Sequence, residues 1–300
     1  MKILISGSSG LIGSELVPCL RDRAHEVIRL VRSEQQLSGD TLLWDPEHRE
    51  INLEDFEGFD TVINLAGENI ATGKWTPEKK NKIYDSRVLG THMLSELLAR
   101  LEAPPKLLIN ASAIGFYGTR GSKILREDAL PGKGFLAEVC KKWEEATEPA
   151  VQKRIRVVRF RLGVVLTPKG GALAKMLFPF RMGLGGVIGS GRQYFSWISM
   201  DDLMGIFLHV INDESIHGPL NVVSPNSVTN RVMTKTLGRV LKRPTLLPFP
   251  AFIARLLMGK EMADSTVLSS TRVFPEGLEQ SGYSFLYPDL KSALKHMLEE

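Results

Sequence analysis

Residues 2–13 read KILISGSSGLIG, and this stretch decides the fold of the chain. The apolar run Lys2–Ser6 predicts a buried β-strand. Gly7, Gly10 and Gly13 follow it at the spacing G-x-x-G-x-x-G and lead into an amphipathic helix. A strand, a glycine turn and a helix in this order are typical of a dinucleotide-binding unit.

Each glycine of the turn has its own role in binding a dinucleotide. Gly7 allows the tight turn, Gly10 lets the backbone approach a pyrophosphate, and Gly13 lets the helix pack closely on the strand. The first helical N–H groups carry positive potential toward an anion. A flexible turn without a ligand is the alternative interpretation. The predicted phosphate contacts are Gly7, Ser9, Gly10, Leu11, Ile12 and Gly13.

The first half of the chain continues to alternate strands and helices. The predicted strands are Lys2–Ser6, Glu26–Val31, Thr41–Trp44, Thr61–Leu65, Lys106–Ser112 and Arg156–Phe160. The predicted helices are Leu11–Arg23, Pro77–Leu101 and Phe135–Val151. Because parallel strands need right-handed crossovers, the pattern predicts an α/β fold with a doubly wound parallel sheet covered on both faces.

The residue pattern changes after Leu166, where glycine pairs and predicted loops become frequent. We assign residues 1–166 to a dinucleotide-binding domain, to which a strand near 220–224 returns. Residues 167–300 then form a smaller substrate lobe, which includes a C-terminal unit at about 248–298.

Composition limits the possible partners and locations. The chain has 300 residues, 43% of them hydrophobic and 24% charged, which excludes a disordered or collagen-like protein. A net charge of +4 is too small and dispersed to indicate nucleic acid, and it fits a small anionic ligand equally well. No apolar run is long enough to predict a membrane partner. Cys19 and Cys140 have no disulfide or metal-site spacing, so we expect a cytoplasmic setting without a bound metal.

The end of the second predicted strand decides between the two nicotinamide cofactors. An acidic side chain there would bind a free ribose 2′-hydroxyl, whereas an arginine accommodates a 2′-phosphate. The sequence has Val31 and Arg32 at this point and no carboxylate before Glu34. We therefore predict NADP as the cofactor, with Arg32 against its 2′-phosphate. A solvated arginine on a loop is the alternative.

Arg87 lies in the middle of the apolar face of the helix Pro77–Leu101. A lone buried charge is costly, so Arg87 should have a specific partner. That partner is either a cofactor phosphate or ribose, or a carboxylate or strand-end carbonyl of the protein. Gly90 on the same side would permit close approach of helix and sheet.

The loop after the fourth predicted strand lies where doubly wound sheets bind their ligands. Its small residues would admit an adenosine or ribose, and Glu68 serves equally well as a turn cap or a cofactor contact. The predicted contacts here are Leu65, Ala66, Gly67 and Glu68. We add Ala111, on the fifth predicted strand, and Val164 to the predicted cofactor contacts.

Longer blocks resemble the extended or atypical short-chain dehydrogenases/reductases, and most closely the epimerase family proteins among them. The blocks are Ser6–Gly13, Asn64–Asn69, Ser86–Thr91, Ser112–Gly118, Arg161–Leu166, Gly189–Gly191 and Ser196–Asp202. The tail from Pro248 is similar to a small C-terminal domain of uncharacterised role in that family. The resemblance implies a Rossmann fold and an NADP-dependent oxidoreductase or nucleotide-sugar epimerase.

The superfamily also implies a catalytic Ser or Thr and a Tyr-x-x-x-Lys pair for proton transfer. This chain departs from that pattern. The usual hydroxyl position falls on Ala113, which leaves Ser112 as a shifted substitute, and Tyr117 is the other candidate proton donor. The helix that should carry the pair presents Leu136 and Cys140 in the best register.

Three functions are compatible with these residues. The first is hydride transfer to or from a carbonyl or alcohol substrate, by an oxidoreductase or a nucleotide-sugar epimerase. The second is an NADP-binding sensor or partner-binding protein with little catalysis, because the Tyr-x-x-x-Lys pair is missing. An isomerase or lyase that uses NADP as a scaffold is the third. Lys175, Arg181 and Arg192 either hold an anionic substrate such as a nucleotide sugar or belong to a surface loop. The oligomeric state stays open.

Overall fold

A seven-stranded parallel sheet forms the centre of the computed structural model, which describes residues 1–44 and 52–299. The strands are β1 (Lys2–Ser6), β2 (Glu26–Val31), β3 (Thr41–Leu43), β4 (Thr61–Asn64), β5 (Leu107–Ala113), β6 (Ile124–Leu125), β7 (Arg156–Leu162), β8 (Val164–Thr167), β9 (Tyr194–Phe195), β10 (Trp197–Ser199), β11 (Gly218–Val222), β12 (Val228–Thr229) and β13 (Arg272–Val273). The order in the sheet is β11-β7-β5-β4-β1-β2-β3. The predicted doubly wound fold is thereby confirmed.

Helices cover both faces of this sheet and build the second lobe. They are α1 (Gly13–Arg21), α2 (Pro77–Arg100), α3 (Phe135–Glu145), α4 (Glu148–Gln152), α5 (Gly171–Arg181), α6 (Met200–Asn212), α7 (Asn230–Val240), α8 (Ala251–Met258), α9 (Lys260–Ser265), α10 (Glu276–Gln280) and α11 (Leu290–Glu299). The single helix predicted over Phe135–Val151 is wrong. Pro149 lacks an N–H and its ring collides with the preceding turn, so the chain forms two helices there.

The central strand β1 is apolar along its length because both of its faces are buried. Ile3 and Ile5 pack with α1 and α6 on one face of the sheet. Leu4 points to the other face, where Leu94 and Leu98 of α2 cover it. This double burial explains why the strand appears in the sequence as a continuous apolar run.

The strand order reverses at β1, and this reversal positions the candidate site. The chain leaves β1 for β2 and β3 on one side, then builds β4, β5, β7 and β11 on the other. Ligands of such sheets bind outside the carboxyl ends of the strands at this switch point. The glycine turn after β1 and the loop after β4 therefore border one crevice.

The second lobe has a separate core formed by α5, α7 and α11 around Trp197. Helix α6 follows residue 166 in the chain, yet it packs on the main sheet. Strand β11 also follows residue 166, and it pairs with β7 as a strand of that sheet. The second half of the chain therefore contributes to both cores. The division into domains at residue 166 stays a prediction.

The expected role of Gly90 is wrong. A Cβ atom built on Gly90 would meet only the carbonyl oxygen of Asp85, at 3.9 Å, so close packing does not require glycine there.

Residues 1–44 and 52–299 contain neither a membrane-spanning helix nor a cluster of metal ligands. None of the helices there combines the length and apolar character needed to cross a bilayer. In the same residues, His, Cys, Asp and Glu side chains form no cluster suited to a metal ion.

Candidate cofactor site

The turn after β1 is built so that only glycine fits at two of its positions. Gly7 has a φ of +71°, and a Cβ atom there would lie 2.7 Å from the backbone carbonyl of Leu65. A Cβ atom on Gly13 would lie 2.4 Å from the carbonyl oxygen of Gly7. Gly10 is exposed and closes the turn by donating its N–H to that same oxygen, at 3.1 Å. The turn is thus a tight cradle of backbone atoms.

Several N–H groups of the cradle have no acceptor in the part of the chain that the structure describes. The amides of Ser9, Leu11 and Ile12 make no hydrogen bond to the described residues. They precede α1, whose amino end carries positive potential. Free donors at a helix amino terminus fit the pyrophosphate of a dinucleotide.

Arg32 lies directly after β2, beside the cradle. Ile5 and Arg29 are register partners on neighbouring strands, so Gly7 and Arg32 leave adjacent strand ends. The Arg32 side chain is exposed and makes no hydrogen bond or ion pair with the part of the chain that the structure describes. Val31 is buried at the end of the same strand. A cationic group that no described residue pairs with therefore lies at this edge.

Arg87 has protein partners on the loop after β4. Its Nη1 donates to the carbonyl oxygen of Glu68 at 2.9 Å, and its guanidinium lies 5.0 Å from the ring centre of Trp143. A Cβ atom on Gly67 would come within 3.0 Å of this guanidinium. Of the two expected partners, the structure contains the carbonyl. Burial lowers the pKa of Arg87. This arginine fixes the shape of the loop 65–68, and a further contact to a cofactor stays a prediction.

Glu68 uses its carboxylate within the protein. It forms an ion pair with Lys79 on α2, and this hydrogen bond holds the pKa of Glu68 below its ordinary value. The backbone N–H of Glu68 donates to Ser86 Oγ at 2.9 Å. Side chain and backbone together tie the loop to α2.

A buried polar network supports the crevice from below. Asn64 Nδ2 donates to Thr91 Oγ1 at 2.8 Å and to Asn110 Oδ1 at 2.7 Å. Trp143 Nε1 donates to the same threonine at 2.9 Å. This network was not predicted from the sequence, although asparagines in the apolar strands β4 and β5 are a signal of buried hydrogen bonds.

The two candidate catalytic residues belong to one closed cluster. Ser112 Oγ donates to Glu144 Oε1 at 2.7 Å, and Tyr117 Oη donates to Asn221 Oδ1 at 2.7 Å. Arg161 joins them, since it donates to Tyr117 Oη at 2.9 Å and to both Glu144 oxygens at 2.9 Å. Ser112 is 1% exposed and Tyr117 is 0% exposed. Burial raises the pKa of Tyr117 to about 12.

Arg161 and Glu144, the charged half of this cluster, were not predicted as site residues. Arg161 lies on β7, and Glu144 lies on α3, one turn after Cys140. A charged residue within an otherwise buried strand is the signal that would have indicated a buried ion pair.

The face of α3 that the superfamily uses for Tyr and Lys carries apolar and neutral groups here. A Cβ atom on Gly115 would lie 3.5 Å from Cys140 Sγ and 3.5 Å from Leu136 Cβ. Cys140 is a buried free thiol, and burial raises its pKa to about 12. Leu136 has no titratable group, and the buried Cys140 thiol releases its proton less readily than a free cysteine.

The remaining predicted residues lie on β5, at the start of β8 and in the second lobe. Ala111 is buried against Trp143, and Val164 is half-buried at the start of β8. Lys175 Nζ donates to the carbonyl oxygen of Ala71 at 3.3 Å. Arg181 and Arg192 are exposed, and neither side chain has a partner in residues 1–44 and 52–299.

The second lobe touches the cradle through two glycines. A Cβ atom on Gly170 would lie 2.6 Å from Leu11 Cδ1, and Gly171 has a φ of +66°. Lys169 Nζ lies 2.7 Å from Glu15 Oε1 on α1. These contacts bring the start of α5 against the glycine turn.

Two family models and several known proteins are similar in sequence to this chain. The family model described as "NAD dependent epimerase/dehydratase family" matches residues 3–224, and a domain of unknown function, DUF1731, matches residues 249–297. An epimerase family protein of Mycobacterium tuberculosis is 41% identical over 97% of this chain and 96% of its own length. The human epimerase family protein SDR39U1 is 34% identical over 99% of this chain and 100% of its own length.

Two solved structures are similar to the whole chain. The crystal structure of human SDR39U1 (isoform 2) with NADPH superposes with a TM-score of 0.91 at 33% identity, covering 100% of this chain and 99% of that one. The UDP-glucuronic acid 4-epimerase of Bacillus cereus has a TM-score of 0.77 at 16% identity, with 100% and 98% covered, which indicates a shared fold alone. The resemblance inferred from the sequence blocks is confirmed.

Proposed function

Because this chain belongs to the NAD dependent epimerase/dehydratase family, we propose that it binds NADP(H) and serves as an oxidoreductase or nucleotide-sugar epimerase for a carbonyl or alcohol substrate. One observation carries the choice of cofactor. Arg32, an exposed arginine with no partner among residues 1–44 and 52–299, follows β2 at the edge of the glycine cradle, where NAD-specific proteins have a carboxylate. The NADPH in the human relative supports this choice.

Each part of the crevice has a distinct task in this proposal. The free N–H groups of Ser9, Leu11 and Ile12 bind the pyrophosphate, and Arg32 binds the 2′-phosphate. The loop 65–68 receives the adenosine side of the molecule, and Arg87 holds this loop in shape. Ala111 and Val164 line the opposite end. When bound, the nicotinamide supplies hydride transfer.

We propose that Ser112 and Tyr117 position the Arg161–Glu144 pair instead of moving a proton. Both hydroxyls are buried and already donate within the cluster. Burial raises the pKa of Tyr117 to about 12, so this phenol releases its proton less readily than a free tyrosine. This assignment replaces the proton-donor role that the sequence suggested.

The second candidate function is an NADP-binding sensor or partner-binding protein. The apolar Leu136 and the neutral thiol of Cys140 favour it, since the usual proton-transfer pair is absent from that face of α3. NADPH absorbance together with NMR analysis of the sugars, followed with a panel of nucleotide sugars and simple carbonyls, separates the two functions, because an epimerase changes the sugar without net consumption of NADPH. Turnover supports the enzyme, whereas tight NADPH binding without turnover across the panel supports the sensor.

Arg32→Asp tests the cofactor assignment. We expect the Kd for NADP⁺ to rise about 10- to 100-fold, because charge-assisted hydrogen bonds to the phosphate contribute about 1.5–3 kcal/mol. The Kd for NAD⁺ should stay equal or fall. Isothermal titration calorimetry measures both. Arg23→Asp, the same charge reversal on an exposed arginine after α1, is the matched control and should leave both values unchanged. An unchanged ratio of the two Kd values in Arg32→Asp would contradict the assignment.

Tyr117→Phe tests the positioning role. We expect the free energy of unfolding to fall by about 1–3 kcal/mol, because Asn221 and Arg161 each lose a buried hydrogen-bond partner. NADP(H) affinity should change less than about twofold in the same calorimetric assay. The opposite pattern, a large loss of kcat with an unchanged urea unfolding midpoint, would restore Tyr117 as the proton donor.

A further inference from the structure

Apolar side chains project from one region of the second lobe. Among the described residues, eight of the sixteen exposed large apolar side chains lie in residues 178–184 and 246–257, each 52–81% exposed. These eight are Phe178, Met182, Leu184, Leu246, Leu247, Phe252, Leu256 and Leu257. Clustered exposed apolar residues of this kind mark interaction surfaces more often than isolated ones do.

The segments that carry these side chains touch one another. A Cβ atom on Gly183 would lie 3.6 Å from Pro244, which places the loop after α5 beside the segment that follows α7. The N–H of Phe249 donates to the carbonyl oxygen of Val187 at 2.9 Å. Helix α8 begins two residues later, at Ala251. The end of α5, the segment 244–250 and α8 therefore form one surface.

This surface lies in the part of the sequence without acidic residues. Between Glu148 and Asp201 there are nine Lys or Arg residues and no Asp or Glu. Between Glu214 and Glu261 there are seven Lys or Arg residues and again no acid. The modest net charge of the chain therefore conceals a strong segregation of charge.

Three cations of this surface are free to meet an anion. Arg181, Lys242 and Arg243 are exposed and have no hydrogen bond or ion pair from their side chains to residues 1–44 and 52–299. Other cations nearby have protein partners. Arg255 on α8 pairs with Asp264 at 2.8 Å, Arg231 donates to the carbonyl oxygen of Ser190 at 3.2 Å, and Lys235 donates to that of Thr245 at 2.9 Å. Arg231 and Lys235 line the same depression as Leu246 and Leu247. We give the name basic apolar face to the eight apolar side chains together with Arg181, Arg231, Lys235, Lys242 and Arg243.

We propose that the basic apolar face docks on an anionic lipid bilayer. Lys and Arg are attracted to anionic headgroups, and apolar side chains that stand out between them enter the acyl region. A protein partner would need a matching cavity for each projecting side chain, whereas acyl chains adapt to any shape. The expectation of no membrane partner was argued from spanning segments, which a peripheral contact does not need.

Co-sedimentation of the full chain with vesicles tests this proposal. We expect at least tenfold stronger partitioning to phosphatidylcholine vesicles with 30% phosphatidylglycerol than to pure phosphatidylcholine, and loss of that difference in 0.5 M NaCl. Lys242→Glu/Arg243→Glu and Phe252→Ser/Leu256→Ser should each reduce binding at least tenfold. All four side chains are exposed, so the fold should persist, and circular dichroism checks this.

Matched variants outside the basic apolar face distinguish binding through this face from nonspecific adsorption to vesicles. Lys141→Glu/Lys153→Glu makes the same charge change, and Leu130→Ser/Leu286→Ser removes two apolar side chains of similar exposure. Both controls should bind anionic vesicles like the original protein.

Three outcomes would overturn the proposal. They are no binding to anionic vesicles, equal loss in the control variants, and a dimer without vesicle binding that Phe252→Ser/Leu256→Ser dissociates in sedimentation velocity. That dimer would make the face an interface between two copies of the chain. The assay contains no nucleotide, so its failure leaves the proposed cofactor function untouched.

Discussion

Gly13→Ala is expected to raise the Kd for NADP(H) at least about 100-fold and to lower the free energy of unfolding by about 1–3 kcal/mol. The added Cβ atom would lie 2.4 Å from the carbonyl oxygen of Gly7 and 2.6 Å from the Cα of Ser8, so backbone must move. Displacing the cradle breaks two or more charge-assisted hydrogen bonds to the pyrophosphate at once. Calorimetric titration and urea unfolding measure the two effects.

Gly90→Ala is the matched control for this substitution. Gly90 lies inside α2, and its added methyl group would meet only the carbonyl oxygen of Asp85 at 3.9 Å. The helix propensity of alanine exceeds that of glycine by up to about 1 kcal/mol. The control should therefore be at least as stable as the original protein. Equal NADP(H) affinity in Gly13→Ala and Gly90→Ala would refute the cradle as the phosphate site.

Arg161→Met is expected to lower the free energy of unfolding by about 3–5 kcal/mol. The substitution leaves the Glu144 carboxylate buried with only Ser112 as a donor, and an uncompensated buried charge costs this much. It also removes the donor to Tyr117 Oη and the cation stacked 3.7 Å from the ring centre of Phe116. Urea unfolding measures the change.

Two further variants show whether burial is the cause. Arg255→Met breaks the half-exposed pair with Asp264 and should cost less than about 1 kcal/mol. The double variant Arg161→Met/Glu144→Leu removes both charges and should recover part of the loss seen in Arg161→Met. A loss below about 1 kcal/mol in Arg161→Met itself would show that the buried pair does not stabilise the fold.

The strands of the sheet could be predicted because a buried strand shows itself as a run of consecutive apolar residues. Lys2–Ser6 and Glu26–Val31 match β1 and β2 at both ends, since apolar runs between turn residues indicate buried strands. The break between α3 and α4 was missed, because helical periodicity outweighed the backbone effect of Pro149. Gly90 was misread for a related reason: the space around a glycine depends on its neighbours in three dimensions.

The candidate site also has a part that could be predicted from the sequence and a part that could not. The glycine cradle was predictable because all its groups come from consecutive residues. The cluster around Tyr117 was not, because its hydroxyl meets Asn221, which is 104 residues away in sequence. Arg87 stood out as a charge on an apolar face, but only the fold shows that Glu68 supplies its carbonyl partner.

Titration of the unmodified protein with NADP⁺ and with NAD⁺ in a calorimeter tests the central claim most directly. We predict saturable binding of NADP⁺ and at least about tenfold weaker binding of NAD⁺, because only NADP⁺ carries the phosphate that Arg32 can reach from the end of β2. Absence of heat with both nucleotides, or a tighter complex with NAD⁺, would contradict it.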